Sequence, residues 1–248
     1  MPDALVLAAL FLVAAALYAS VGHAGASAYL AAMALLGVAP EVARPTALAL
    51  NIVVASFVTL RFWRAGLLQP RALLPLVIAS IPLAFIGGSI HIPPNLYKPL
   101  LGAVLLVAAA GFFRTAHKAA DENASQPATI PILPALILGG TIGLLSGLTG
   151  TGGGIFLSPA LIVAGWATTR QASGIASGFI LVNSISGLLG NVSAVGGVPS
   201  SLPLWIGAVL VGAIVGAEIG SRRASPPQLR YLLGAVLVVA GLKLIFLG

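Results

Sequence analysis

Ten apolar runs separated by glycines, prolines and a few basic residues constrain this chain more than any other feature. They fall near residues 4–21, 27–38, 46–60, 72–90 and 96–113, and again near 131–148, 154–167, 172–190, 202–220 and 228–247. Charged residues make up only 7% of the sequence, against about 25% in a soluble domain. So few charges cannot cover a water-facing surface, and a helix of about 20 apolar residues crosses a hydrocarbon core of about 30 Å. The expectation is an all-α integral membrane protein whose first partner is the lipid bilayer. Lys plus Arg number 12 against 5 for Asp plus Glu, a net +7. The basic residues sit at the ends of apolar runs, with no basic stripe and no interleaved aromatics, so they speak for membrane topology and against nucleic acid. The absence of cysteine excludes disulfides, thiol catalysis and cysteine-held metals. Met1-Pro2-Asp3 lacks the positive segment of a cleaved leader, and the first run is expected to be retained.

The two sets of runs resemble each other at an offset of about 130 residues, the signature of an internal repeat. The hexapeptide from Leu100 to Leu105 recurs from Leu232 to Leu237, Leu74-Pro75-Leu76 recurs as Leu202-Pro203-Leu204, and Gly22, Gly25 and Gly37 match Gly150, Gly153 and Gly165. Residues 1–114 therefore read as a first membrane repeat and 131–248 as a second, joined by the polar linker 115–130. Arg61, Arg64 and Arg71 flank one connection of the first half, whereas Arg222 and Arg223 flank a different connection of the second. Inverted halves put both clusters, with Arg114, Lys118 and Arg170, in the cytoplasm, as the positive-inside rule asks. Inversion requires an odd number of crossings per half, met by five crossings or by three plus a re-entrant hairpin. Both termini are then outside a bacterial-type plasma membrane and the linker is cytoplasmic. Inverted repeats of about five segments characterise secondary transporters.

The second run of each half is too short to span, and each follows a glycine-rich turn: Gly22-His23-Ala24-Gly25-Ala26-Ser27, and Gly150-Thr151-Gly152-Gly153-Gly154. Paired interrupted segments of this kind point to a binding site at the midplane. A helix that starts inside the membrane leaves its first N–H groups without partners. That is costly in hydrocarbon, and an anion relieves the cost while the helix dipole favours it. Gly139, Gly143 and Gly147, like Gly212, Gly216 and Gly220, are spaced by four and read instead as packing faces.

The third run of each half adds polar groups. Arg44-Pro45-Thr46 is expected to open a helix carrying Asn51, with Pro45 at its first position. Ser177 and Asn183 lie on the corresponding second-half helix, Asn183 near the point that matches Asn51. Either asparagine can line a site or stitch helices together. Arg44 is an anion lure or the partner of Glu41. His23, inside the first turn, can carry a proton. So can Glu218, the one carboxylate within an apolar run, unless it pairs with Arg222 one turn on.

The run from Gly147 to Pro159 (GLTGTGGGIFLSP) ahead of Asn183-Ser184, with its first-half counterpart from Gly22 to Leu30 and from Pro40 to Asn51, resembles the TauE/SafE family of sulfite exporters. The resemblance covers nearly the whole chain, duplication included. It implies transport of sulfite, organosulfonates or related sulfur anions, whereas the residues alone imply only an anion. The first turn carries Ala24 and Ala26 where family members often have further glycines, so the two half-sites are expected to be unequal.

A carrier for a small oxyanion is the main expectation. No nucleotide-binding glycine loop of the G-x-x-x-x-G-K-[ST] form is present, and no cofactor or metal is implied. An anion channel and a structural subunit of a larger assembly are the alternatives. An intramembrane enzyme is disfavoured, because His23, His91 and His117 are the only histidines and no serine has an evident histidine and acid partner. Self-association into a homo-oligomer is left open.

Overall fold

The computed structural model describes residues 4–116, 130–191, 199–222 and 227–246, without the side chains of 220–222. Most of the expected linker and the partner position Arg222 thus lie outside the described side chains. Ten helices make up the described chain: α1 (Ala4–Ser20), α2 (Ala26–Leu35), α3 (Pro40–Arg64), α4 (Pro70–Ser89), α5 (Pro94–Thr115), α6 (Ile132–Thr149), α7 (Gly154–Val163), α8 (Thr169–Gly190), α9 (Leu202–Arg222) and α10 (Pro227–Phe246). Seven of them, α3 to α6 and α8 to α10, are long and apolar enough to cross a membrane. This is a multi-pass, all-helical membrane protein.

The helices α2 and α7 have 10 residues each, about 15 Å at 1.5 Å per residue, half the thickness of a bilayer core. Each is entered through a left-handed glycine, Gly25 at φ 97° and Gly153 at φ 82°, a conformation open to glycine without a Cβ penalty. One boundary differs from expectation: α3 starts at Pro40, so Pro45 lies inside the helix. Pro40 takes the first position, where its missing N–H costs nothing.

Packing pairs α1 with α9, α4 with α6, α5 with α10, and α8 with α3 and α4, so the two halves interleave. Spacing by four explains the closest of these contacts. A Cβ on Gly139, Gly143 or Gly147 would strike the α4 backbone at Leu76, Ser80 or Ala84, while one on Gly212 or Gly216 would strike α1 at Leu12 or Ala16. Small residues that let backbones approach drive helix association where lipid offers no hydrophobic gain. The contacts also fix direction. Leu48 lies beside Gly187, and Asn51 Nδ2 donates to Ser184 Oγ at 3.1 Å, so α3 and α8 run antiparallel. Gly102 meets Gly241, and Arg230 Nη1 donates to the Thr115 carbonyl at 2.9 Å, so α5 and α10 are antiparallel as well.

Candidate functional site

The two glycine turns meet in the buried centre of the bundle. His23, from the first turn, places Nε2 2.9 Å from the carbonyl of Gly154, the first residue of α7, and Nδ1 3.0 Å from its neighbour Val21's carbonyl. Carbonyls only accept, and a neutral imidazole has a single N–H, so one proton serves one of these contacts at a time. Around the ring stand Tyr18 and Phe112, the latter with its centroid 5.7 Å away.

Asn51 joins the same cluster. Its Oδ1 accepts from the backbone N–H of Ala26, at the start of α2, at 3.1 Å. The amide Nδ2 lies against Gly152, where any Cβ would collide with it. The side chain therefore caps α2, stitches α3 to α8 through Ser184, and covers the second turn. Ser27, beside it, donates to Tyr18 Oη at 3.1 Å, and Gly25 is roofed by the ring of Tyr29, whose hydroxyl donates to Ala24 O at 2.6 Å. The first turn is thus closed by its own protein partners.

The second turn is finished differently. Gly153 is flanked by the ring of Phe179, by Ile142 and by Ser146, and among the described residues no side chain caps the N-terminus of α7. The buried hydroxyl of Ser146 has no hydrogen-bond partner. Asn183, one turn beyond Phe179, donates Nδ2 to the Phe179 carbonyl at 2.8 Å, while its buried Oδ1 has no partner. Thr151 Oγ1 is 3.0 Å from Thr149 Oγ1, and Gly154 packs on Ile180. Unpartnered buried polar atoms are uncommon in folded proteins.

Of the remaining expected site residues, Gly22 packs against Ser173 and Gly150 against the stem of Arg44. Arg44 is buried and makes no ion pair with Glu41. Its Nε donates to Gly147 O at 3.1 Å, its Nη1 to Ile90 O at 3.0 Å, and its Nη2 to Gly87, Gly88 and Gly147 carbonyls. These carbonyls end α4 and α6, the negative poles of two helix dipoles, so the guanidinium clamps two helix ends onto α3. Thr46 Oγ1 is buried without a partner. Ser177 is not drawn into the cluster; its hydroxyl donates to Gly174 O at 2.7 Å. Glu218 is distant from it too, paired across the halves with Arg61, both side chains part-exposed.

The matching of Asn51 with Asn183 is corrected by one helical turn. Gly25 and Gly153, like Leu74 and Leu202, are 128 residues apart, and that spacing sets Phe179 opposite Asn51 and Ala55 opposite Asn183. Ser146 was not singled out from sequence, because isolated serines in membrane helices usually bond their own backbone. Here Ser146 does not.

Two half-length helices thus begin at glycine turns that touch inside a bundle of helices long enough to span a membrane. Residues 7–244 match the sulfite exporter TauE/SafE family, and the chain belongs to that family. It is 41% identical over 244 residues to "Probable membrane transporter protein y4hK" of Sinorhizobium fredii, covering 98% of this chain and 99% of that protein. It is 28% identical over 250 residues to "Probable membrane transporter protein YjnA" of Bacillus subtilis, covering 93% and 95%. No solved structure matches the chain.

Proposed function

We propose that the chain is a secondary carrier that exports a small sulfur oxyanion, such as sulfite or an organosulfonate, bound where the two glycine turns meet. The observation that carries this is the unequal finish of the two half-helices: α2 is capped by Asn51, whereas α7 starts beside the unpartnered Ser146 and has no cap. An oxyanion would accept from the first N–H groups of α7 and from Ser146 Oγ, with Thr151 and the Nδ2 of Asn183 within the same region of the fold. The family to which the chain belongs supplies the sulfur anion; the residues supply the charge.

Antiparallel packing of α3 on α8 and of α5 on α10 supports inverted repeats, since these are matching helices of the two halves. Each half has three helices of spanning length after its half-helix, α3 to α5 and α8 to α10, while α6 is a seventh and its counterpart α1 is shorter; a half-helix following α1 and α6 suits a re-entrant arrangement. With Arg61, Arg64, Arg71, Arg114 and Arg170 at one end of the bundle, that end is cytoplasmic and the termini are outside. His23 is better placed than Glu218 to carry a coupling proton, because its ring bridges the two turns while Glu218 is neutralised by Arg61.

Reconstitution tests the reading. Wild-type protein in liposomes should carry sulfite or a sulfonate saturably, and Gly153→Leu with Asn183→Ala should abolish the flux while the protein remains folded. No flux of any tested anion from folded, inserted wild type would sink the stand-alone carrier.

A further inference from the structure

None of the larger openings described is lined by either glycine turn. One of about 320 Å³ lies where α3 begins, α4 and α8 end and α5 begins, and Glu41, Arg44, His91, Tyr97 and Asn191 line it. Its inner wall adjoins the second turn. The stem of Arg44 contacts Gly150, and Tyr97 Oη donates to the carbonyl of Thr149 at 2.7 Å. Two groups in this wall are left with donors to spare. A guanidinium has five N–H groups; the acceptors of Arg44 are Gly147, Ile90, Gly87 and Gly88, and the second hydrogen of Nη1 has none among the described residues. Asn191 is 97% buried, only 3% exposed, and its side-chain amide has no partner among the described residues; only its backbone is engaged, with Gly187 and Leu188. That amide opens onto the cavity, where a ligand or water can complete it.

We propose that this vestibule is an outer binding site for a small, singly charged oxyanion, separate from the glycine turns and reached from the end of the bundle where α3 begins. It rests on the carrier reading above. Arg44 and Asn191 supply the donors, and His91 stands at the exposed rim. Charge selects the ligand. Glu41 lines the same cavity, and like charges repel the more strongly the lower the dielectric between them. The carbonyl poles around Arg44 also offset part of its charge. Arg44 and Glu41 already cancel, so each negative charge brought in is opposed and the second more than the first, and a monoanionic sulfonate is held in preference to sulfate. An anion leaving the second turn past Arg44 and Tyr97 would rest in this site before release.

The test uses the full chain, with methanesulfonate as the monoanion and sulfate as the dianion. In detergent, methanesulfonate should raise the melting temperature of wild type and sulfate should do so less. Asn191→Asp, isosteric but negatively charged, should lose the stabilisation, and Asn191→Gln should keep it. In liposomes, Asn191→Asp should raise KM for methanesulfonate about tenfold, the scale of one charge-assisted hydrogen bond, with maximal flux within about twofold. Arg44 is not varied, because its loss threatens the fold. Wild-type flux with an unchanged KM in Asn191→Asp, or equal stabilisation by sulfate, overturns the vestibule site and leaves the carrier standing. Absence of both flux and stabilisation in wild type overturns the two together.

Discussion

Asn51 and Phe179 occupy matching positions of α3 and α8 and finish the two half-helices in opposite ways. Asn51 Oδ1 accepts from Ala26 N at 3.1 Å and caps α2, whereas the Phe179 ring lies against Gly153 and caps nothing on α7. The two glycine turns are thereby made unequal by one residue.

Removing the cap should cost stability. Asn51→Leu leaves the Ala26 N–H and Ser184 without their partner, a loss of about 1–2 kcal/mol on the scale of caps and buried hydrogen bonds. A melting temperature lower by about 2–8 °C in detergent is expected. Asn51→Asp, which keeps the acceptor for Ala26, should lose less.

Adding a cap should cost transport. Phe179→Asn offers the α7 terminus an amide oxygen in competition with the anion. KM for the transported anion should rise while the fold persists, as measured by counterflow in liposomes. An unchanged KM would argue that the anion does not use the α7 terminus.

Glycines of the packing rows should be far more sensitive than their neighbours. A Cβ on Gly143 would meet Ser80 on α4 at about 2.5 Å, so Gly143→Val should prevent a stable bundle, overpacking of this kind costing about 1–3 kcal/mol or more. Nothing lies within 4 Å of a Cβ on Gly207, and Gly207→Ala should change the melting temperature by no more than a degree or two, or raise it through helix propensity.

Breaking the Arg61–Glu218 pair should matter little at equilibrium. Both side chains are part-exposed, 28% and 38%, and pairs of that kind contribute about 0.2–1 kcal/mol, less in salt. Glu218→Gln should retain flux and any response to a pH gradient, whereas His23→Gln should lose the response. Loss of the response in Glu218→Gln alone would transfer the proton role to Glu218.

The lack of native cysteine makes single-cysteine labelling clean. If matching helices are inverted in the membrane, Arg64→Cys at the end of α3 and Arg170→Cys at the start of α8 should both be modified from the cytoplasmic side. Modification from opposite sides would exclude inversion.

Patterning alone carried the helical membrane class, the places of the ten helices, and the half-length α2 and α7. Apolar run lengths and left-handed glycines are local features that act without knowledge of neighbours. The packing rows were equally legible, because spacing by four places Gly139, Gly143 and Gly147 on one face. Start positions slipped where tertiary packing extended a helix past its apolar run, as at Pro40 of α3.

Partner choice belonged to the tertiary structure. Nothing local to Arg44 says that it will turn from Glu41, one turn away, to the carbonyl ends of α4 and α6, or that Glu218 will meet Arg61 across the halves. The sequence determined which segments are long and apolar enough to cross a membrane and that two helices are too short to do so, since hydrophobicity and glycine conformation are properties of the segment itself. Only the fold decided that Asn51 closes one turn while Ser146 and Asn183 keep unpartnered oxygens near the other, because contacts between residues on different helices, such as Asn51 with Ala26 and Ser184, depend on how the helices cross.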